Sequence, residues 1–98
     1  MNETTFRKWL GENGYNRKVS SDTISRLKKL EQSTNCDIED EYKKDCFTYL
    51  FSLFENKGEN EKMLSLSNNE LPIGKYYLCA YKYALNIYLK FKKEGQNG

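Results

Sequence analysis

The chain contains no histidine, a single proline and an odd number of cysteines, three in all. Without histidine, the side chain that most often serves as general base and metal ligand is missing. No glycine-rich phosphate loop occurs, and neither H-E-x-x-H nor G-x-S-x-G can be found. The expectation is a protein that is not an enzyme and holds no cofactor and no metal. Cys36, Cys46 and Cys79 form no C-x-x-C pair, and zinc held by cysteine and carboxylate alone is rare. They read as reduced thiols of a cytoplasmic protein. Asp37, Glu39 and Glu41 alternate, but the glycine and closing glutamate of a calcium loop are lacking. The amino terminus is polar from Asn2 to Thr5, unlike a secretory signal. The longest apolar stretch, Tyr76 to Phe91, is broken by Lys82, Asn86 and Lys90, whereas a membrane span needs ~20 apolar residues. No internal repeat is visible, and strand-like alternation does not persist.

What the chain does have is aromatic residues in periodic segments: eight Tyr, five Phe and Trp9. Ninety-eight residues make one domain with one modest core. The expected ordered body spans about 4–94, with 95–98 a polar tail.

Four helices are predicted, with a short turn as a fifth. The first covers 5–13, capped by Thr4 or Thr5, with Phe6, Trp9 and Leu10 on one face and Gly14 after its end. A basic loop carrying Arg17 and Lys18 follows. Ser20-Ser21-Asp22 reads as a helix start, and the second helix runs over 22–33. Ile24, Leu27 and Leu30 make its buried stripe, with Ser25, Arg26, Lys29, Gln32 and Ser33 opposite. Residues 34–41 read as an acidic connection. A third, central helix covers 41–56, with Tyr42, Cys46, Tyr49, Leu50 and Leu53 as its stripe and Phe47, Phe51 and Phe54 widening it. Residues 57–71 read as a mobile loop with one helical turn at 61–66. Pro72 opens the last helix, over 72–93, ended by Gly95. Its core stripe is Tyr77, Ala80, Tyr81, Ala84, Tyr88 and Phe91, flanked by Leu78, Leu85 and Leu89. Tyr76 and Tyr83 fall at the margin of that arc.

Charge is unevenly placed although the net value is only +2. Residues 1–30 carry seven Lys/Arg against three acids, 31–70 carry four Lys against ten acids, and 71–98 carry five Lys against Glu94. Two basic ends thus flank an acidic middle. Arg17, Lys18, Arg26, Lys29, Lys75, Lys82 and Lys93 all fall on polar sides of their elements. If the second and last helices present these sides together, they form a positive surface suited to a phosphate backbone. Ser21 and Asn86 add neutral hydrogen-bonding groups. The excess of Lys over Arg favours backbone contact over base readout. The plainer reading is that these lysines keep the domain soluble.

The order of segments resembles the core-binding, SAM-like domain of tyrosine recombinases and phage integrases. Phe6-Arg7-Lys8-Trp9-Leu10 is similar to its opening F-x-x-W/F-L, and Ser20 to Leu30 looks like its Thr-led second helix. Tyr81-Lys82-Tyr83-Ala84-Leu85-Asn86-Ile87-Tyr88-Leu89-Lys90-Phe91 resembles its last helix. Similar modules are fused to restriction-type nucleases. The resemblance implies an all-α, orthogonally packed SAM-like bundle that grips duplex DNA with its second and last helices. The recombinase catalytic domain, with its Arg, His and Tyr nucleophile, has no counterpart here. The expected partner is duplex DNA, contacted at Arg17, Lys18, Ser21, Arg26, Lys29, Lys75, Lys82, Asn86 and Lys93. The rival is a protein partner, as for an adaptor or inhibitor, docking on the acidic segment 37–45 beside an exposed Phe47 or Phe51. No membrane is expected as a partner, and the oligomeric state stays open.

Overall fold

The computed structural model of the chain describes residues 1–66 and 71–97. Those residues are helical with no strand. The helices are α1 (Glu3–Glu12), α2 (Arg17–Thr34), α3 (Ile38–Asp45), α4 (Thr48–Ser52), α5 (Glu61–Leu64) and α6 (Cys79–Asn97). Short 3-10 turns occupy Glu55–Gly58 and Tyr76–Leu78. The two long helices, α2 and α6, are the most closely packed pair, and α1 lies against both.

The apolar stripe of α2, with Ile24, Leu27 and Leu30 all at most 2% exposed, makes one wall of the core. Leu78, Ala84, Leu85, Ile87 and Tyr88 supply the facing wall. Tyr88 is fully buried and joins more elements than any single periodic pattern indicates. Its ring meets Phe6 of α1 edge-on at 4.7 Å, Phe91 at 5.3 Å and Phe47, between α3 and α4, at 6.2 Å. Each such pair contributes about 0.5–1.5 kcal/mol beyond area burial. Its hydroxyl accepts from the Asn2 N–H at 3.1 Å and donates to Glu39. Glu39 in turn accepts from Lys92 Nζ at 2.7 Å.

Several helix boundaries differ from those predicted. Thr4 and Thr5 lie inside α1, whose N-cap is Asn2. The second helix begins five residues early: the Asn16 side chain accepts from the Val19 N–H at 2.8 Å and caps α2 ahead of Arg17. Ser20-Ser21-Asp22 is therefore helix interior, and Ser20 and Ser33 are buried against neighbouring elements. Residues 38–41, expected as a connection, form the first turn of α3, because the Asp37 side chain accepts from the Glu39 N–H.

The predicted central helix over 41–56 is broken at Cys46 and Phe47, both left-handed with φ of 53° and 70°. The break exchanges their environments. Cys46 is exposed, while Phe47 is fully buried and edge-on to Tyr42 at 5.6 Å. Tyr49, assigned to the buried stripe, is consequently exposed. The helical turn expected at 61–66 is present as α5, capped by Asn60, whose side chain accepts from the Met63 N–H at 3.0 Å. Residues 67–70 of the expected loop, and residue 98 of the expected tail, lie outside the described residues. Pro72 does not open the last helix. A left-handed Gly74 (φ 76°) and the 3-10 turn Tyr76–Leu78 intervene, and Tyr77 is left half exposed. The helix then runs through Gly95 to Asn97.

Tyr88→Phe keeps the ring contacts but strips Glu39 and the Asn2 N–H of a buried partner. It is expected to cost about 1–3 kcal/mol, read from urea denaturation. Cys46→Gly removes a strained side chain at an exposed position and should stabilise by about 0.5–1 kcal/mol. Phe47→Gly, at the adjoining left-handed residue, should instead lose about 3–5 kcal/mol, because it empties the core. Equal shifts from these two glycines would rule out the corner as described.

Candidate nucleic-acid interface

The buried arc of α6 leaves one continuous outward face. At ~100° per residue, Lys82, Asn86 and Lys93 lie within about 40° of one another, and Lys90 lies next to them. All four are exposed. Asn86 Nδ2 donates to the Lys82 carbonyl at 3.2 Å, which ties that side chain to the helix. Lys82, Lys90 and Lys93 make no ion pair among the described residues. The acid on this face, Glu94, accepts from Trp9 Nε1 at 2.8 Å. A furrow of about 240 Å³ runs beside Asn86, Leu89, Lys90, Lys93 and Glu94.

At the head of α6 a deeper groove of about 570 Å³ is lined by Phe54, Lys57, Gly74, Lys75, Tyr76, Leu78, Cys79 and Lys82. The chain folds this way because two loops are stitched together. The Gly74 N–H donates to the Lys57 carbonyl at 2.9 Å, and Gly58 lets Leu78 approach so closely that a Cβ there would lie 2.8 Å from Leu78 Cδ2. Asn56 and Lys57 are themselves left-handed (φ 53° and 57°), a conformation that costs a non-glycine residue about 1–3 kcal/mol.

The expected site residues divide into two groups. Lys75 and Lys82 meet in the groove, and Asn86 and Lys93 continue the same face along α6. Arg17, Lys18, Ser21, Arg26 and Lys29 of α2 line neither groove. Arg17 and Lys18 are exposed on the first turn of α2, in place of the predicted loop. Arg26 and Lys29 are only half exposed. Ser21 is turned toward α1, where its hydroxyl accepts from Arg7 Nη1 at 3.3 Å. Lys57 and Lys90 were missed by sequence reasoning. Lys90 had a signal, its place on the outer arc of the last helix. Lys57 had none, because its position depends on two left-handed residues that are not glycine.

The acidic segment is largely spent inside the fold. Asp37 lies 3.0 Å from the Met1 α-amino group, Glu39 holds Lys92 and Tyr88, and Glu41, 4% exposed, pairs with Lys44 at 3.1 Å. Asp45 Oδ2 accepts from the Tyr49 N–H at 3.1 Å. Phe47 is buried and Phe51 partly so, which leaves no exposed phenylalanine beside these acids. Among the described residues no cluster of His, Cys, Asp and Glu is arranged to hold a metal, and no helix is long and apolar enough to cross a membrane.

No protein-family model, curated protein or solved structure matches this chain.

Partial burial pushes the Glu39 carboxyl up, but the hydrogen bonds from Lys92 and Tyr88 and the Lys92 charge outweigh it and hold it below its ordinary value of 4.5. A carboxyl depressed by folding contributes stability that is complete above its ordinary value and is lost as pH falls through its folded one. The urea midpoint of the wild type should therefore fall on acidification below about pH 4.5. In Glu39→Gln that fall should be shallower. An identical acid limb in the two proteins would show that Glu39 is not a sensor of this kind.

Proposed function

We propose that the chain is a non-catalytic DNA-binding helical module that holds the phosphate backbone of a duplex against the outer face of α6. The observation that carries this reading is the run of cations Lys75, Lys82, Lys90 and Lys93, without an ion pair among the described residues, along one exposed face with Asn86 among them. Lysine is a point charge suited to phosphate oxygens, and each phosphate it neutralises releases a condensed counterion. Arg17 and Lys18 add cations at the first turn of α2, where a helix dipole disfavours them. A local rule broken at an exposed position is a mark of function.

The resemblance of Phe6–Leu10 and Tyr81–Phe91 to the core-binding, SAM-like domain of integrases supports the same reading, as the amino-terminal part of an integrase- or nuclease-like protein acting in the cytoplasm. The interface differs from the one expected, since α6 replaces the shared surface of two helices. The rival reading, a protein partner on segment 37–45, has less to stand on, because four of its five carboxylates, all but Asp40, already have partners within the fold.

Binding to a short blunt duplex, followed by fluorescence anisotropy, should weaken with salt along a log–log slope of about −3 to −4, as about four phosphate contacts require. Lys82→Glu combined with Lys93→Glu should lower affinity at low salt by at least about tenfold. Its circular dichroism and melting should stay as in the wild type. Absence of binding at low ionic strength rejects the function, and an unaffected double variant rejects this face.

A further inference from the structure

The groove at the head of α6 is more elaborate than backbone gripping requires. A run of lysines on a convex helix suffices for a duplex, yet here three of them, Lys57, Lys75 and Lys82, surround one concavity. They come from three separate stretches of chain and make no ion pair among the described residues. Bringing like charges together is unfavourable in the absence of an anion. An acid, Glu59, lies close by; its carboxylate packs against Gly74 and does not line the groove. Lys57 is delivered by a strained left-handed backbone, and such strain concentrates at functional sites.

The rest of the lining is not phosphate-binding at all. Phe54 and Leu78, both nearly buried, form an apolar floor. Tyr76 stands at the rim 88% exposed, and among the described residues its ring meets one other ring, Tyr77, edge-on at 5.5 Å. A large aromatic side chain in that state leaves a ring face unused. The volume, about 570 Å³, falls in the ~300–1,000 Å³ range of small-ligand sites.

The geometry points to a nucleotide-binding site: the phosphate held among Lys57, Lys75 and Lys82, and the base stacked on Tyr76 over the apolar floor. This rests on the nucleic-acid reading of the α6 face and extends it. The outer face holds the duplex, and the groove takes a nucleotide unit outside the stack. That unit comes either from an unpaired strand end or from a free nucleotide. Both present a phosphate beside a planar base, which lysines and one open aromatic ring recognise without reading sequence.

The test compares a blunt duplex, the same duplex with short single-stranded ends, free dAMP and inorganic phosphate, all with the full chain. Single-stranded ends should bind about fivefold or more tighter than blunt ones, the lower bound of one base–aromatic stack. Tyr76→Ala should erase that difference, and Lys57→Gln should weaken the overhang and dAMP arms together. If dAMP binds with no preference for overhangs, the source is a free nucleotide and the groove stands. If overhang and blunt duplexes bind equally and dAMP does not bind, the inference is overturned while the duplex-binding function survives. If inorganic phosphate binds as well as dAMP and Tyr76→Ala changes nothing, the inference is overturned as well. If dAMP binds while the blunt duplex does not, the duplex-binding function falls and the groove remains. Because Tyr76 and Lys57 are exposed, a melting curve on each variant separates loss of binding from loss of fold.

Discussion

The fold depends on Tyr88. Its ring is the surface on which α1, α6 and the corner between α3 and α4 converge, through Phe6, Phe91 and Phe47. Its hydroxyl is the point at which the start of α1 and the start of α3 are fixed to α6. A tyrosine suits this place where a phenylalanine does not. A buried ring fills volume, while a buried hydroxyl satisfies one donor and one acceptor that would otherwise be stranded. Burial and the hydrogen bond to Glu39 also push the Tyr88 phenol upward, so it remains a neutral donor across the physiological range. Lys92 then completes Glu39, and an aromatic core passes into an ion pair within one helical turn.

This inner face of α6 determines what the outer face can be. With Tyr88, Leu85 and Ala84 turned inward, the helical period leaves Lys82, Asn86, Lys90 and Lys93 outward without exception. Four acids of the middle segment, Glu31, Asp37, Glu39 and Glu41, are drawn into pairs with the amino terminus, Lys44 and Lys92, away from that face. A chain whose net charge is close to zero thereby shows one distinctly positive side. Segregation of charge, not its total, gives the molecule a surface with a preference.

The periodic elements were legible in the sequence. Phe6 and Leu10, Ile24, Leu27 and Leu30, and Leu85 and Tyr88 occupy the buried faces their spacing predicts. So was the helical turn at Glu61–Leu64. What escaped was decided by side chains acting on backbone at a distance of a few residues. Asn16, not the Ser-Ser-Asp run, caps α2, and Ser20 lies on the buried side of the helix with Thr23, Ile24 and Leu27. The exposure of Lys82, Asn86 and Lys93 on one face of α6 was readable from spacing alone. The α2 half of the candidate site was not, since half-burial of Arg26 and Lys29 and the engagement of Ser21 by Arg7 are tertiary facts. The groove was illegible for a further reason. Beside the left-handed Gly58 and Gly74, it depends on Asn56 and Lys57, left-handed residues that carry no glycine signature.

The corner at Cys46 and Phe47 has a consequence for how the molecule comes to be. By local preference alone, the spacing predicts one uninterrupted helix over 41–56, about 24 Å long at ~1.5 Å per residue. The finished protein forbids it, because only the bent form delivers Phe47 to Tyr88. Local and global preferences disagree at this point, which is a small frustrated spot in the chain. The bent form is held by the aromatic cluster, so it is stable only where that cluster has assembled. The corner is a property of the assembled whole, not of these residues taken alone.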